Sequence, residues 1–297
     1  MDMKNKVSVI IPTYNRPQEL QKAVISVLQQ TTPVDEILII NDGSLEEKVC
    51  MCLSSLFSGI QIHHNPQSLG GNFSRNKGAR LSTGDILMFL DDDDTWTTEK
   101  VQRQLEIFVN DPSVGLVYSN RNVVNSKGEV MRKITSKSKG KLYPQIFYEN
   151  LIGGTSSVAI RRDVFFQAGT FDEKLPALQD YDLWIRICRI CNVGLDAACS
   201  VNYTVSENFK GQVSGSGEKK KEAVKYILNK YSQEIEALRG SNKRKVESNL
   251  FFYIAKSYKN TSYTKAIYYS LQSFLKRPNV KSLVILFPDL ITNLLRK

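Results

Sequence analysis

The sequence has very little histidine and no long apolar run. Its 297 residues include two histidines, His63 and His64, too few for a histidine-based catalytic triad or a histidine-rich metal centre. No stretch of 18 or more residues is apolar throughout, so no segment is expected to cross a membrane as a helix. Neither a Walker phosphate loop nor a Gly-x-Gly-x-x-Gly fingerprint occurs, which argues against the usual ATPase and dehydrogenase classes.

Cysteine is sparse and odd in number. The five cysteines follow no secretory signal, so reduced thiols in a cytoplasm are expected. Cys188 and Cys191 have the spacing of a metal-binding pair, but they lie in a stretch with helical spacing. No second pair of this kind completes a zinc site. We therefore expect both to be buried structural thiols.

The net positive charge comes from the C-terminal quarter of the chain. Residues 218–297 hold 17 lysines and arginines against 6 acidic residues, a net charge of +11, and residues 1–217 have a net charge of −1. A basic segment of this kind can face nucleic acid or an anionic membrane. Its aromatic residues fall on apolar helix stripes and not on a platform for bases. We expect no nucleic-acid partner, and an anionic membrane surface is the candidate partner of 218–297.

The last apolar segment, 283–295, is short and is broken by Pro288 and Asp289. It would either lie in a membrane interface or pack as a terminal helix on its neighbours. Composition does not decide between these two alternatives.

The first 118 residues alternate strand and helix patterns. Apolar runs predict strands at 7–11, 36–40, 59–64, 86–90 and 114–118, and helical spacing predicts helices after Pro17 and over 46–57, 72–81 and 98–109. This repetition predicts a mostly parallel sheet with helices on both faces. From Asn120 the pattern changes to short strands and loops, with a hairpin turn at 125–128 and a helix over 182–190.

After residue 217 the pattern is helical. One apolar stripe runs over 224–238, a second helix follows over 250–258, and a third over 264–275. The polar stretch 210–217 is rich in glycine and serine and suits a loop or linker. We predict an α/β domain over 1–217 and a basic, all-helical C-terminal appendage over 218–297.

Four aspartates, Asp91 to Asp94, directly follow the predicted strand 86–90. Adjacent carboxylates repel one another, and a divalent cation relieves that repulsion. Hard cations such as Mg²⁺ bind carboxylate oxygens together with substrate phosphates. Because ligands of open α/β sheets bind beyond the carboxyl ends of the strands, the run predicts a metal and phosphate site at that edge.

Two further loops follow predicted strands, over 12–16 and 41–44, and the segment 74–78 adds cations and backbone donors. Together they suit a nucleoside diphosphate. Asp42 can accept a hydrogen bond from a base imide, and Arg75 can pair with phosphate. Asp91 and Asp93 are two apart in an extended segment, so they point to the same side and can share a cation.

These motifs, in this order and spacing, resemble the family 2 glycosyltransferases. The stretches that carry the resemblance are Val7–Asn15, Asn41–Ser44, Arg75–Gly78, Phe89–Trp96, Gly169–Glu173 and Gln179–Arg186. The resemblance covers about residues 5–217. It implies a Rossmann-like GT-A fold, with a nucleotide-sugar-binding half over 1–118 and an acceptor-binding half over 119–217.

The resemblance also implies roles for single residues. The metal, Mn²⁺ or Mg²⁺, would be bound directly by Asp93, with Asp91 beside it, and Asp180 would be the catalytic base of an inverting transfer. The residues that would bind the nucleotide sugar are Pro12, Thr13, Asn15, Asp42, Arg75, Asp91 and Asp92. Alternatively, Asp92 and Asp94 are solvated or cap the next helix.

The sequence departs from the family at two places. Gln179 stands where the family usually has glutamate, which removes a charge beside Asp180. The histidine that the family often carries near 203–214 is absent, and Ser206 or Asn208 lies in that region.

The expected activity is transfer of a sugar from a nucleotide sugar, expected to be UDP-linked, to a hydroxyl of a glycan or lipid-linked acceptor in surface polysaccharide biosynthesis. The expected location is the cytoplasm, peripherally on the inner face of the cell membrane. One alternative is a nucleotidyltransferase of similar fold, which would need a glycine-rich loop with a basic residue after the first strand. The other is a non-catalytic basic binding protein.

Overall fold

The computed structural model describes residues 5–46, 49, 53, 59–205 and 216–286. Most of the predicted helix 46–57, Cys50 and Cys52, the predicted loop 210–217 up to residue 215, Ser206, Asn208 and the end of segment 283–295 lie outside the described residues.

The strands are β1 (Val7–Thr13), β2 (Glu36–Asn41), β3 (Ile60–His64), β4 (Ile86–Phe89), β5 (Thr95–Trp96), β6 (Val114–Val124), β7 (Val130–Ile134), β8 (Val158–Arg161) and β9 (Asn192–Thr204). The helices are α1 (Pro17–Leu28), α2 (Gly71–Leu81), α3 (Lys100–Asn110), α4 (Arg162–Gln167), α5 (Gln179–Ile187), α6 (Gly217–Lys230), α7 (Ser232–Ala237), α8 (Gly240–Tyr258), α9 (Tyr263–Lys276) and α10 (Val280–Leu286).

Within the described ranges, these strands form one mixed sheet. Its order is β3-β2-β1-β4-β8-β6-β9-β5, with β7 beside β6. The first four strands along the chain pair in parallel, as predicted. The fifth predicted strand, β6, runs in the same direction but does not pair with this set, and its parallel partner is β9. β8 lies between β4 and β6 and is antiparallel to both, a long-range arrangement that the local apolar pattern does not encode.

Helices cover both faces of the parallel half, as the sequence predicts. Side chains alternate along β1. Val9 and Ile11 belong to the core cluster that includes Leu20 of α1 and Phe108 of α3. Ile10 points to the opposite face, where α2 packs so closely that a Cβ on Gly78 would lie 2.5 Å from Ile10 Cγ2.

The chain forms two compact units. The first contains residues 1–143, 151–173 and 183–207, and the second contains 144–150, 174–182 and 208–297. The sequence predicts a single boundary at residue 217, whereas the second unit also includes two earlier segments of the chain. The domain division from sequence therefore stays a prediction.

Two predictions about local structure meet different outcomes. The hairpin turn is confirmed, because Gly128 N–H donates to Asn125 O at 2.9 Å and Gly128 has a φ of +81°. The single helix predicted over 224–238 is wrong. It is divided at Tyr231 into α6 and α7, although Val224, Ile227, Tyr231 and Ile235 are all buried as the stripe predicts.

The thiols of Cys188 and Cys191 are free. Burial raises the pKa of Cys188 to about 12 and that of Cys191 to about 11, so both are neutral near pH 7. Cys188 is buried, as predicted, whereas Cys191 is only partly buried. None of the helices in the described ranges is long and apolar enough to span a membrane.

Candidate active site

The loops after β1, β2 and β4 meet at one edge of the sheet. This follows from the parallel register, in which Ile10 of β1 lies beside Phe89 of β4 and Thr13 lies beside Asn41 of β2. Thr13 Oγ1 donates to Asp92 Oδ2 at 2.9 Å. The predicted convergence of polar groups at this edge is therefore present in the structure.

The predicted nucleotide residues of the first loop differ in exposure. Pro12 and Thr13 are the buried last residues of β1. Asn15 is exposed and has a φ of +54°, a left-handed conformation that asparagine tolerates better than most residues. Its backbone N–H donates to Ser44 Oγ at 2.8 Å, which ties the first loop to the second.

Asp42 organises the chain that leads into α2. Its carboxylate accepts five hydrogen bonds of 2.8–3.1 Å, from the side chains of Asn65, Ser68 and Ser74 and the backbone N–H groups of Leu69 and Gly70. Burial by itself would raise the pKa of Asp42, but these bonds lower it below its ordinary value. A base imide would have to replace one of these donors.

Arg75 contacts an acid of the run. Its guanidinium pairs with Asp91 Oδ1, whereas the sequence places Arg75 on the base or the phosphates. Arg75 Nε is buried and has no hydrogen-bond partner among the described residues. Thr155 Oγ1 also lies 3.1 Å from both oxygens of Asp91. The carboxylate is thus held by a cation and a hydroxyl.

Arg16 is a site residue that the sequence interpretation missed. Its Nη1 lies 3.2 Å from Asp92 Oδ1 and 2.9 Å from Asp93 Oδ2. Its positive charge thereby compensates two adjacent carboxylates that lie 76 and 77 residues further along the chain. The available signal was a cation immediately after Asn15, on a loop already expected at this edge.

The solvated or helix-capping alternative for Asp92 and Asp94 is wrong. Their exposed fractions are 6% and 2%, and α3 begins at Lys100 with Glu99 as its cap residue. Asp94 accepts hydrogen bonds from Ser156 Oγ at 2.6 Å and Thr204 N at 3.1 Å. Burial, with the charges of Asp91 and Asp93 added, raises the pKa of Asp94 well above its ordinary range.

Asp92 is also strongly perturbed. Burial raises its pKa to about 6, Arg16 acts in the opposite direction, and Asp93 adds to the rise. The acidic run therefore holds carboxylates of unequal basicity. Asp91 and Asp93, which are more exposed than Asp92 and Asp94, present the accessible oxygens.

The residues present fit a hard divalent cation only in part. Carboxylate oxygens are suitable ligands, yet no group of three or more histidine, cysteine or acidic side chains within the described ranges could hold a metal ion. Asp91 and Asp93 each face an arginine. A cation here would rely on one or two carboxylates together with water and phosphate oxygens, as Mg²⁺ commonly does.

Asp180 belongs to the second unit. It lies in the first turn of α5, which begins three residues earlier than the predicted helix. Asn150 Nδ2 donates to its Oδ2 at 3.3 Å, and Tyr181 N–H donates to its Oδ1 at 2.8 Å. Both oxygens of this carboxylate therefore accept hydrogen bonds within the unit.

The comparison with known families gives a match over just more than half of the chain. The model of the family described as Glycosyl transferase family 2 matches residues 8–168. That range holds the three loops described above and ends before Asp180.

Related sequences are named glycosyltransferases. An uncharacterized glycosyltransferase of Haemophilus influenzae is 28% identical over 300 residues, which cover 96% of each chain. The amylovoran biosynthesis glycosyltransferase AmsB of Erwinia amylovora is 29% identical over 235 residues, covering 74% of this chain and 75% of AmsB. The chain spans only about a third of the length of several Rickettsia relatives.

Solved structures share the fold. Staphylococcus aureus TarS 1–349 in complex with UDP-GlcNAc has a TM-score of 0.61 and 14% identity, covering 92% of this chain and 82% of that one. Mannosyltransferase PcManGT from Pyrobaculum calidifontis, in complex with GDP-Man and Mn²⁺, has a TM-score of 0.59 and 15% identity, covering 99% and 81%. These likenesses confirm the predicted GT-A-like fold.

We expect Asp92→Asn to change how stability depends on pH. The folded pKa of Asp92, about 6, lies above the unfolded value of about 3.9. The protonated form thus stabilises the fold below pH 4, and this contribution is lost as pH rises through 6. The free energy of unfolding of the wild type minus that of the variant should fall by about 2 kcal/mol between pH 4 and 7.

Urea denaturation in EDTA-containing buffer measures this difference. Asp111→Asn is the control, because Asp111 is exposed and its pKa is lowered by the hydroxyl of Ser113, so no such fall should occur. If the difference in the free energy of unfolding between the wild type and Asp92→Asn does not change with pH, the raised pKa of Asp92 is contradicted.

Proposed function

The chain belongs to glycosyl transferase family 2, and from that premise we propose that it transfers a sugar, with inversion, from a UDP-sugar to an acceptor hydroxyl. The observation that carries the proposal is the meeting of three polar loops at one sheet edge. There Thr13 and Arg16 contact the acids that follow β4.

The nucleotide would bind at this edge. Pro12, Thr13 and Asn15 would line its pocket, with Asp42 accepting from the base and Asp91 and Asp92 near the ribose; Arg75 would serve the base or the phosphates. The Nε of Arg75, which has no hydrogen-bond partner among the described residues, is a donor suited to an anionic oxygen. TarS, crystallised with UDP-GlcNAc, supports a UDP-linked donor by analogy of fold.

Mn²⁺ or Mg²⁺ would be held by Asp93, with Asp91 contributing. Bound there, it would offset negative charge on the departing nucleoside diphosphate. PcManGT, whose structure contains GDP-Man and Mn²⁺, supports a metal in a protein of this fold. Arg16 and Arg75 already face these acids, so a cation would compete with or add to their charge.

Asp180 would act as the base. It would take the proton of the acceptor hydroxyl while that oxygen attacks the anomeric carbon. The new carbon–oxygen bond forms as the bond from the anomeric carbon to the diphosphate breaks. One displacement of this kind inverts the anomeric configuration.

The acceptor would be a glycan or a lipid-linked glycan of a surface polysaccharide. The name of AmsB, an amylovoran biosynthesis glycosyltransferase, supports this setting. The protein would work in the cytoplasm, held peripherally on the inner face of the membrane. In support, α9 exposes Tyr268, Leu271 and Leu275 at 56%, 44% and 75%, within a segment of net charge +11.

Asp93→Ala should abolish metal-dependent turnover, because the cation loses its direct ligand. We expect UDP release from a panel of UDP-sugars with Mn²⁺ to fall by about a hundredfold or more. Asp111→Ala, an exposed acid elsewhere in the first unit, is the matched control and should leave turnover unchanged. Normal Mn²⁺-dependent turnover by Asp93→Ala would refute its role.

Asp180→Asn should keep nucleotide binding but lose transfer, because asparagine cannot take the proton. Turnover should drop by about 10² or more, while the Kd for UDP with Mn²⁺ measured by calorimetry stays unchanged. Gln179→Glu, which restores the family's usual acid beside it, should remain active. A collapse of UDP affinity in Asp180→Asn would instead identify Asp180 as a binding residue.

The double variant Leu271→Glu, Leu275→Glu should weaken membrane association, because it places two negative charges on an exposed apolar helix face. Flotation with vesicles containing phosphatidylglycerol measures the bound fraction, which should fall several-fold. Val109→Glu, an equally exposed apolar position of α3, should bind like the wild type. Equal binding by all three proteins would favour a C-terminal region that does not contact membranes.

A further inference from the structure

Asn150, which donates to Asp180, is itself tied to a C-terminal helix. Its backbone N–H donates to Tyr253 Oη at 3.1 Å. Tyr253 belongs to α8, and its ring lies 6.3 Å from that of Tyr181 in an edge-on contact. A short path of contacts therefore leads from α8 through Asn150 to the carboxylate of Asp180.

The segment that carries Asn150 is held at further points. Tyr181 Oη donates to Phe147 O at 2.7 Å, and the rings of Phe147 and Tyr231 are 5.4 Å apart. Asn249 Nδ2 donates to Tyr148 O. Residues of α5 and α8 thus bond to the backbone of this segment at three positions, 147, 148 and 150. These bonds restrain Asn150.

The first turn of α5 is anchored in the same way. Asp182 is fully buried, and its Oδ1 accepts from Tyr231 Oη and pairs with Lys230 Nζ, each at 2.8 Å. Lys230 is partly exposed, but loss of these partners would leave the buried carboxylate of Asp182 uncompensated, which is costly. Leu178, directly before the helix, has a φ of +60°, a strained conformation that persists only where the surroundings enforce it.

Charged and titratable groups of the C-terminal helices lie around this turn. Burial lowers the pKa of Lys220, the charge of Asp180 acts in the opposite direction, and Lys256 adds to the lowering. Among the described residues, these groups include Lys220 of α6, Tyr253 and Lys256 of α8, Glu149 of the preceding segment, and Tyr181 with the Asp182–Lys230 pair on the same turn.

We infer that Asn150 is a positioning residue for Asp180, and that α8 acts in the reaction through it. A base is effective when a third group orients it. Asn150 supplies the orienting hydrogen bond, and Tyr253 of α8 holds the backbone of Asn150. The C-terminal helices thereby contribute to the base itself and not only to a membrane contact. This inference rests on the proposed role of Asp180.

The test is the pH profile of turnover. The hydrogen bond from Asn150 stabilises the ionised carboxylate, so its removal should raise the pKa of the base. In Asn150→Leu, the acid limb of the kcat profile for UDP release should move to higher pH by about half a unit or more. Tyr253→Phe removes the acceptor of the Asn150 backbone N–H and should move the limb in the same direction. KM for the UDP-sugar and the Kd for UDP with Mn²⁺ should stay unchanged, because the substituted residues belong to the second unit and the proposed nucleotide residues to the first.

Two variants serve as controls. Asn242→Leu changes an exposed asparagine of α8, and Tyr268→Phe removes the hydroxyl of an exposed tyrosine of α9. The acid limb should not move in either variant. If Asn150→Leu does not fold, as judged by circular dichroism, the comparison of Tyr253→Phe with Tyr268→Phe decides alone.

An acid limb that stays in place in Tyr253→Phe and in folded Asn150→Leu would overturn the inference. So would an equal shift in Asn242→Leu or Tyr268→Phe. Failure of the proposed function has a different signature, because Asp180→Asn would then retain full turnover. An inactive Asp180→Asn together with unmoved limbs in the other variants rejects the positioning role alone.

Discussion

The site depends on compensation of negative charge at the end of β4. Four aspartates follow a buried strand, and the fold supplies Arg16 to Asp92 and Asp93 and Arg75 to Asp91. Two of the acids are buried and hold protons more strongly than usual, whereas the other two face outward. The compensation lets a concentrated negative charge persist in the folded chain. The proposed cation would compete with the two arginines for the carboxylates, and the proposed anionic donor would compete with the carboxylates for the arginines.

In the second unit, residues distant in sequence surround Asp180. Lys230 and Tyr231 contact the buried Asp182 on the same turn, and the amide of Asn150 donates to the carboxylate of Asp180 itself. Gln179, directly before Asp180, adds no charge. Apart from Asn150, these residues lie beyond residue 168, where the family match ends.

The parallel half and its acidic run could be predicted because both are local signals. Apolar runs define β1 to β4, and the polar residues directly after them must share an edge. The contacts of Arg16 and Arg75 could not be predicted, since each joins positions far apart in sequence. The antiparallel place of β8 and the break at Tyr231 likewise depend on packing partners that no local pattern contains.

Calorimetric titration of UDP into the wild-type protein, with and without Mn²⁺, tests the central claim most directly. Binding that strengthens with Mn²⁺ and that loses this increment in Asp93→Ala is the predicted result, because the cation would join the acid run to the diphosphate. No heat of binding for any nucleoside diphosphate in the presence of Mn²⁺ would contradict the account.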